Sequence, residues 1–396
     1  MKLALIVSGI LLFNGVVRAQ EILPGANQLD EYLPLLKDKA VAIFANQTSV
    51  VGKTHLVDTL LKRGVNIRKI FAPEHGFRGT ADAGENVNNL TDPKTGIPII
   101  SLYGNKNKPS TEDLKDIDIM IFDIQDVGAR FYTYISSLQK YMEAAVMNGK
   151  PLIVLNRPNP NGFYVDGPVL DTAFRSFVGM QSIPVVYGMT MGEYADMLAG
   201  ERLVPGFPKD YKKISSRIYL LIVPNQHYTH KSKYNLPVKP SPNLPNMQAI
   251  YLYPSICFFE GTSISLGRGT DKPFQQFGHP SFPKNLYRFT PRSTEGARNP
   301  PLINQLCYGY DLSKVNVAII KGHIQLTWLL KAYHLFPDKE KFFLASNYFN
   351  TLAGSSVLAQ QIRDGKRESA IRKSWEPGIS RFKKIRKKYL LYPDFE

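Results

Sequence analysis

The residues of this sequence that are best suited to chemistry stand in four polar segments, and each segment follows an apolar, β-rich run. The segments are residues 46–48, 73–79, 123–134 and 156–162. They combine carboxylates, which can act as general acids and bases, with amides and aromatic rings, which bind sugar hydroxyls and ring faces. This mixture predicts a site for a neutral or acidic sugar.

The carboxylates of this predicted site are the first candidates for catalysis. They are Glu74, Glu85, Asp123 and Asp126. Each has a structural alternative, as a helix N-cap or as the buried partner of Arg130 or Arg157. Both roles stay open for Asp123 and Asp126, whereas Glu74 stands in a loop flanked by Pro and Gly, where capping is less natural. The other polar and aromatic residues expected to bind substrate are Asn46, Arg78, Gln125, Arg130, Tyr132, Tyr134, Asn156, Arg157 and Asn159.

An alternation of β-rich and helical runs in the N-terminal half positions these segments. The predicted strands are residues 40–45, 67–72, 98–103, 117–123 and 151–155, and the predicted helices are residues 136–148 and one that starts near Thr190. Thr190 and Glu193 have the spacing of a capping box for that second helix. The alternation predicts an α/β fold with a mostly parallel sheet covered by helices. Because ligands of such sheets bind beyond the carboxyl ends of the strands, the polar segments should converge on one edge.

The chain divides into a leader, two domains and a connection. Residues 1–19 have a basic start, an apolar run and small residues at their end, which predicts a secretory signal peptide. Residues 20–203 form the predicted catalytic domain, and residues 246–396 form a smaller, mixed α+β domain. Between them, residues 204–245 are rich in Pro, which predicts a connection that resists regular structure.

The C-terminal domain carries its own local signals. Residues 249–259 are rich in Tyr and predict a strand, residues 260–270 form a Gly-rich loop, and residues 324–334 predict a helix. Residues 381–388 are the densest cluster of positive charge, which predicts a solvated helix face. The alternative is a contact with an acidic cell-wall polymer or an anionic membrane surface.

Charge and export together restrict the partners. The chain has 396 residues, with 49 Lys and Arg against 33 Asp and Glu, so its net charge is +16. An anionic partner is favoured, but nucleic acid is a poor candidate for an exported protein, and no membrane-spanning segment is expected after the leader. Residues 47–54 end like a phosphate-binding P-loop, but Gln47 replaces its first Gly, so no nucleotide is expected.

The sequence predicts no cofactor or metal. Its histidines are scattered without the spacing of paired metal ligands. Cys257 and Cys307 are the only cysteines. The sequence leaves two alternatives open, a disulfide between these cysteines or two buried free thiols.

Six motifs, in order along the chain, carry a resemblance to a known family. They are APEHGFRG (72–79), DIQDVGARFYTY (123–134), NRPNPNG (156–162), GMTMGEYA (188–195), SPNLP (241–245) and EGTSISLGRGTDKPF (260–274). Together they resemble the exo-β-N-acetylmuramidase (NamZ-type) glycoside hydrolase family over nearly all of the predicted mature chain. The resemblance implies removal of N-acetylmuramic acid (MurNAc) from the non-reducing ends of peptidoglycan fragments. It also implies a Rossmann-like, doubly wound domain without a nucleotide, a smaller C-terminal domain, and a site in the cleft between them.

The resemblance assigns roles to particular residues. It makes Glu74 the leading catalytic candidate and places His75 with Asp123, Asp126 and Arg130 in the same pocket. The C-terminal loop, with Glu260 and Arg268, is expected to close the cleft and contact substrate. Arg130, Arg157 and Arg268 are candidate partners for the lactyl carboxylate of MurNAc.

This chain also departs from the family pattern. Asn156 stands where the family commonly has Asp, Tyr187 where it has His, and Ser263 and Ser265 where Asn and Glu are more usual. We expect an exported, periplasmic or secreted, exo-β-N-acetylmuramidase that acts on muropeptides or a MurNAc–GlcNAc disaccharide. The alternatives are a non-catalytic muropeptide-binding protein of the same fold, which the departures favour, and a wall amidase or esterase.

Overall fold

The computed structural model of the protein describes residues 20–73, 76–77, 90–104, 106–208, 211, 219–320 and 322–396. The predicted signal peptide lies outside the described residues. No helix within these ranges is long and apolar enough to span a membrane.

Helices and short strands alternate through the first half of the chain, and helices dominate its end. The strands are β1 (Ala40–Ala45), β2 (Val50–Val51), β3 (Thr54–His55), β4 (Asn66–Ala72), β5 (Leu90–Thr91), β6 (Pro98–Ser101), β7 (Ile119–Asp123), β8 (Leu152–Leu155), β9 (Leu220–Val223), β10 (Gln276–His279), β11 (Tyr287–Phe289) and β12 (Cys307–Asp311). The α-helices are α1 (Leu29–Leu36), α2 (Leu56–Lys62), α3 (Thr111–Leu114), α4 (Tyr134–Met147), α5 (Met191–Gly200), α6 (Met247–Ile256), α7 (Thr327–Leu335), α8 (Tyr348–Ala353), α9 (Val357–Arg363) and α10 (Glu368–Arg386).

The main sheet has seven strands in the order β5-β6-β4-β1-β7-β8-β9. All neighbouring pairs are parallel except β5 with β6 at one edge. The chain moves outward from β1 in one direction through β4 and β6, and then in the other through β7, β8 and β9. The order therefore reverses between β1 and β7, and crevices for ligands open beside such a reversal in α/β sheets.

Both faces of this sheet are buried, which explains the nearly continuous apolar character of its strands. Along β1, Val41 and Ile43 pack on one side in a core that includes residues of α1 and α2. Ala42 and Phe44 pack on the other side, in a core that includes residues of α4 and α5. This period of two follows from the alternation of side chains along a strand.

Most predicted elements of this domain are confirmed. The strand at residues 40–45 has the predicted bounds, and the other four predicted strands match β4, β6, β7 and β8 with ends shifted by one or two residues. The predicted helix at 136–148 is α4. The capping box of α5 is present, since the Thr190 hydroxyl accepts from the Glu193 amide and the Glu193 carboxylate accepts from the Thr190 amide.

Two predictions of secondary structure are wrong. Residues 204–245 do not resist regular structure throughout, because Leu220–Val223 forms β9, the edge strand beside β8. The predicted strand at 249–259 is instead α6, followed by a 3-10 helix at Cys257–Gly261. Asn246 starts α6 by accepting a hydrogen bond from the Ala249 amide at 2.9 Å. The helix is buried on nearly every side, so it lacks the polar stripe that would have revealed its period.

The C-terminal part contains a small antiparallel sheet, with the order β10-β12-β11, beside α6 to α10. Its core is continuous with residues of the first domain such as Val127, Phe131 and Val185. The predicted helix at 324–334 is α7. Cys257 and Cys307 are both buried and are not bridged.

The basic run at the end of α10 is only partly a solvated face. Arg386 is buried, donates to the Gly188 carbonyl at 2.9 Å and forms a bidentate ion pair with Asp394. Phe382 belongs to the core that α4 and α5 share with the main sheet. The last helix therefore packs across both parts of the chain.

Candidate active site

A cavity of about 520 Å³ lies between the loops beyond the main sheet and the C-terminal part of the chain. Its volume suits a small organic ligand such as one or two sugar rings. Aromatic rings and neutral polar groups dominate its lining. The lining residues are Leu102, Tyr103, Gly104, Asn107, Phe131, Tyr132, Thr133, Tyr134, Phe177, Val178, Ser241, Asn243, Leu244, Tyr253, Glu260, Arg268, Phe274 and Tyr348.

Tyr132 and Tyr134 enter this lining at the start of α4. The Tyr132 hydroxyl donates to the Pro240 carbonyl at 2.9 Å, and the Tyr134 hydroxyl accepts from the Asn46 amide at 2.9 Å. Their rings meet edge to face, with centroids 4.8 Å apart. Both rings are thus fixed in orientation, as a platform for a sugar ring requires.

Glu260 and Arg268 form an ion pair in the opposite wall. Arg268 donates from Nε at 2.8 Å and from Nη2 at 2.6 Å to the same oxygen, Oε1 of Glu260. The guanidinium also lies over the Phe274 ring, 5.0 Å from its centroid. Phe274 has a φ of 58°, a left-handed conformation that is rare for a bulky residue and that turns the chain at the cavity wall. Glu260 and Arg268 thus line the cavity, and closure of the cleft by their loop stays a prediction.

The loop that holds this pair depends on two glycines. Gly267 and Gly269 have φ values of 87° and 76°, and a Cβ atom on Gly267 would lie 2.6 Å from the Lys272 carbonyl oxygen. Larger residues would strain the turn and displace Arg268.

Asp123 and Arg157 lie outside this lining, in a fully buried ion pair at the end of β7. The guanidinium donates to the two carboxylate oxygens at 2.6 and 2.8 Å. Burial disfavours the charge of Arg157, but the adjacent Asp123 outweighs this and raises the pKa of the guanidinium. Asp123 thus has the structural role that the sequence left open for it, although Arg157 also borders a second cavity near the start of the described chain.

Asp126 is also buried. Its Oδ2 accepts hydrogen bonds from the Tyr187 hydroxyl and from the Gly128 amide, the latter at 2.6 Å. Burial raises the pKa of Asp126 to about 6, although Tyr187 and the backbone donors act in the opposite direction. Asp126 could exchange a proton near neutral pH, but its side chain does not line the cavity.

Arg130 links the two parts of the chain and does not face the cavity. Its guanidinium donates to the carbonyls of Pro168 and Ile183 in the first part. It also donates to those of Leu352 and Ala353 in α8. Burial lowers the pKa of Arg130 to about 9. These bonds occupy both terminal nitrogens of the guanidinium, Nη1 and Nη2, and argue against the predicted contact with a substrate carboxylate.

The amide side chains predicted to bind substrate are buried in the same layer. Asn46 accepts from the amide and hydroxyl of Thr48, and Gln125 donates to the carbonyls of Asp126 and Pro158. Asn159 donates to the Met189 carbonyl at 2.8 Å. They build the loops that carry the lining, and a direct contact with substrate stays a prediction for each of them.

Asn156, the departure from the commoner Asp, fits its surroundings as an amide. Its Nδ2 donates to the hydroxyls of Thr190 and Tyr392 at 2.9 and 2.6 Å, and its Oδ1 accepts from the Gly192 amide at 2.8 Å. An Asp could not donate from its side chain while ionised. This departure is therefore accommodated by the packing at the start of α5.

Four predicted residues lie outside the described residues. They are Glu74, His75, Arg78 and Glu85. The chain around them is described at Pro73, which follows β4, and at Gly76 and Phe77. Phe77 is buried and packs edge to face on His55, with centroids 4.7 Å apart.

Of the predicted residues, the structure brings Tyr132, Tyr134, Glu260 and Arg268 to the cavity. Sequence reasoning missed Tyr103, Asn107, Tyr253 and Tyr348. It also passed over Ser241, Asn243 and Phe274, although the motifs SPNLP and EGTSISLGRGTDKPF contain them. Asn243 donates to the Gly296 carbonyl at 2.7 Å, which fixes the Pro-rich wall against the C-terminal part. Within the described ranges, no group of three or more His, Cys, Asp or Glu side chains could hold a metal ion.

Both walls of the cavity fall within models of a single protein family. The N-terminal model of the exo-β-N-acetylmuramidase NamZ matches residues 41–248, and its C-terminal model matches residues 251–392. The chain belongs to this family. It is 37% identical over 383 residues to the peptidoglycan β-N-acetylmuramidase NamZ of Bacillus subtilis, covering 92% of this chain and 89% of that protein.

Two crystal structures of DUF1343 family proteins from Bacteroides fragilis have the same fold. The first is 48% identical to this chain, with a TM-score of 0.85, and the match covers 95% of this chain and all of that one. The second is 28% identical, with a TM-score of 0.79, and the match covers 94% of this chain and 99% of that one. The two-domain α/β fold of the NamZ family is therefore also that of these structures.

Proposed function

We propose that this protein is an exported exo-β-N-acetylmuramidase that hydrolyses terminal, β-linked MurNAc from the non-reducing ends of peptidoglycan fragments. By its family the chain is a glycoside hydrolase. The observation that carries the proposal is the match of both NamZ models, which together span the two walls of the cavity. Its substrates would be muropeptides or the MurNAc–GlcNAc disaccharide.

The chemistry of the cavity supports a sugar ligand. Tyr132, Tyr134 and Tyr253 offer aromatic faces, and Ser241 and Asn243 offer neutral polar groups. Sugar rings bind to this combination, because their C–H faces pack on aromatic rings while their hydroxyls form hydrogen bonds. The strand order of the main sheet supports a Rossmann-like description of the first domain, and the cavity uses loops beyond that sheet.

Glu74 is the proposed general acid. It would protonate the leaving glycosidic oxygen while a second group stabilises or attacks the anomeric carbon. Glu85 and the substrate's own 2-acetamido oxygen are the candidates for that group. Asp126 is disfavoured, because it is buried and does not line the cavity. Asp123 is disfavoured, because Arg157 engages both of its oxygens.

Product analysis tests this function directly. The mature protein and its Glu74→Gln variant would be incubated with MurNAc–GlcNAc, and the products separated and identified by mass spectrometry. We expect the wild type to release free MurNAc and the variant to be slower by about 10²-fold or more, as loss of a general acid typically causes. Glu112→Gln, an exposed Glu on α3, is the matched control and should retain full activity.

The other outcomes identify the alternatives. Specific binding without release by either protein would favour the non-catalytic muropeptide-binding protein. Release of peptide from a muropeptide with an intact disaccharide would favour an amidase. Equal release by wild type and Glu74→Gln would keep the glycosidase and reject Glu74. Export is tested separately by sequencing the N-terminus of the processed protein, which should begin at Gln20.

A further inference from the structure

One ion pair supplies all the charge in the described lining of the cavity. Glu260 is its only acidic residue and Arg268 its only basic residue; the other described lining residues are aromatic, apolar or neutral polar. Among the described lining residues, a ligand with a negative charge would find one cation, Arg268. A guanidinium that is paired with one carboxylate and keeps a further donor can discriminate between ligands that differ by one carboxylate.

The pair is reachable from the cavity and is only partly satisfied. The side chains of Arg268 and Glu260 are 22% and 20% exposed, so neither is sealed in the interior. Arg268 directs two donors at one oxygen of Glu260. Among the described residues, no further hydrogen bond is made by Nη1 of Arg268 or by Oε2 of Glu260. The guanidinium therefore retains a donor for a second acceptor.

The guanidinium is also held in a fixed orientation. Phe274 supports one face of it, and Glu260 fixes one of its edges. A planar guanidinium held in this way binds a carboxylate with defined geometry. The flexible ammonium group of a Lys does not impose such a geometry. Glu260 is thus a positioning residue for Arg268.

We propose that Arg268 binds the lactyl carboxylate of MurNAc and thereby selects this sugar over N-acetylglucosamine (GlcNAc). The inference rests on the proposed function for the identity of the sugar. MurNAc differs from GlcNAc by a lactyl ether that ends in a carboxylate. The remaining donor of Arg268 meets that group, and GlcNAc offers it no charged partner.

The test measures binding and needs no turnover. Calorimetric titration of the full mature protein with MurNAc and with GlcNAc gives the ratio of their dissociation constants. The key variant combines Arg268→Met with Glu260→Gln, so that no carboxylate is left without its partner. We expect this double variant to lose about tenfold or more of the wild-type preference for MurNAc, the usual effect of removing a hydrogen bond to a charged group. Arg268→Lys should lose part of the preference, because it keeps the charge without the planar fork.

Lys272→Met is the matched control. Lys272 is a cation on the same loop, but it pairs with Asp311 and does not line the cavity. Its variant should keep the wild-type preference. The proposal is wrong if the double variant keeps the preference, or if the wild type binds both sugars equally. Preferential binding that depends on Arg268, without release of MurNAc from the disaccharide, would uphold this inference and reject the glycosidase.

Discussion

At the scale of single residues, the most informative group is the buried pair of Asp126 and Tyr187. The Tyr187 hydroxyl donates to Asp126, and burial together with that carboxylate raises the pKa of Tyr187 well above its usual value. The Tyr187 hydroxyl therefore stays protonated and remains a hydrogen-bond donor throughout the physiological pH range. Tyr187 thus supplies a neutral donor whose protonation does not change near neutral pH, as that of a His would.

We predict that Tyr187→Phe destabilises the protein more at alkaline than at acidic pH. Burial raises the pKa of Asp126 to about 6 in the folded state, above its unfolded value. The contribution of Asp126 to stability is therefore complete below the unfolded pKa and is lost as pH rises through about 6. Removing the Tyr187 donor raises the folded pKa further. The variant should thus lose about 1–3 kcal/mol near pH 8 and less near pH 5.

Urea denaturation at both pH values measures this difference. Tyr164→Phe is the control, because Tyr164 is also buried and its hydroxyl has no hydrogen-bond partner among the described residues. Its effect should be small and should not depend on Asp126. Equal destabilisation by Tyr187→Phe at the two pH values would show that the hydroxyl does not hold an ionised Asp126.

The residue types of the site were predictable from sequence, but their partners were not. A carboxylate after a parallel strand is compatible with catalysis and with structure, and the choice depends on what meets it in three dimensions. Arg157 lies 34 positions after Asp123, and their spacing in sequence gives no sign of a bidentate pair. Tyr253 and Tyr348 were missed for the same reason, since the packing of α6 and α8 brings them to the cavity.

At the scale of elements, the C-terminal segment after α10 packs on the start of α5 and is hydrogen-bonded to it. The Tyr392 hydroxyl accepts from the Asn156 side chain at 2.6 Å and from the Asn225 amide at 2.8 Å. The Leu391 amide donates to Glu193 of the capping box at 2.9 Å. This C-terminal segment thus satisfies polar groups of α5 and of the chain that follows β8 and β9.

We predict that Tyr392→Phe lowers the free energy of unfolding by about 1–3 kcal/mol, because two buried donors lose their acceptor. Tyr389→Phe is the matched control three positions earlier, since its hydroxyl donates to the partly exposed Glu201. Its cost should stay within about 0.5 kcal/mol. Denaturant midpoints measure both. Equal costs for the two variants would contradict a buried anchor at Tyr392.

The elements that could be predicted from sequence are those whose apolar residues form a short run or recur regularly, because such patterns indicate burial. Strands of the main sheet are short apolar runs that end in polar segments, and the start of α5 is marked by its cap. The helix α6 carries apolar residues on nearly every side, so its composition resembled a strand. The Pro-rich sequence around β9 did not indicate a strand, because β9 is stabilised by its pairing with β8 and not by local propensity.

At the scale of the whole molecule, Arg130 joins the two parts of the chain through one side chain. It contributes two hydrogen bonds to each part, at distances of 2.7 to 2.9 Å. The core around Phe131 and Phe258 is shared by both parts, and α10 packs across them. The cavity depends on this junction, since its walls come from the two sides.

We predict that Arg130→Met separates the unfolding of the two parts. The variant removes four hydrogen bonds to buried carbonyls, of which the Ile183 carbonyl keeps a second donor, the Leu170 amide at 3.2 Å. We expect a loss of about 3–5 kcal/mol and a second calorimetric transition. Wild type should unfold in one transition, in which the calorimetric and van't Hoff enthalpies agree. Arg175→Met, at an exposed Arg, should match the wild type. A single, barely shifted transition in Arg130→Met would mean that the shared core and α10 couple the two parts without this side chain.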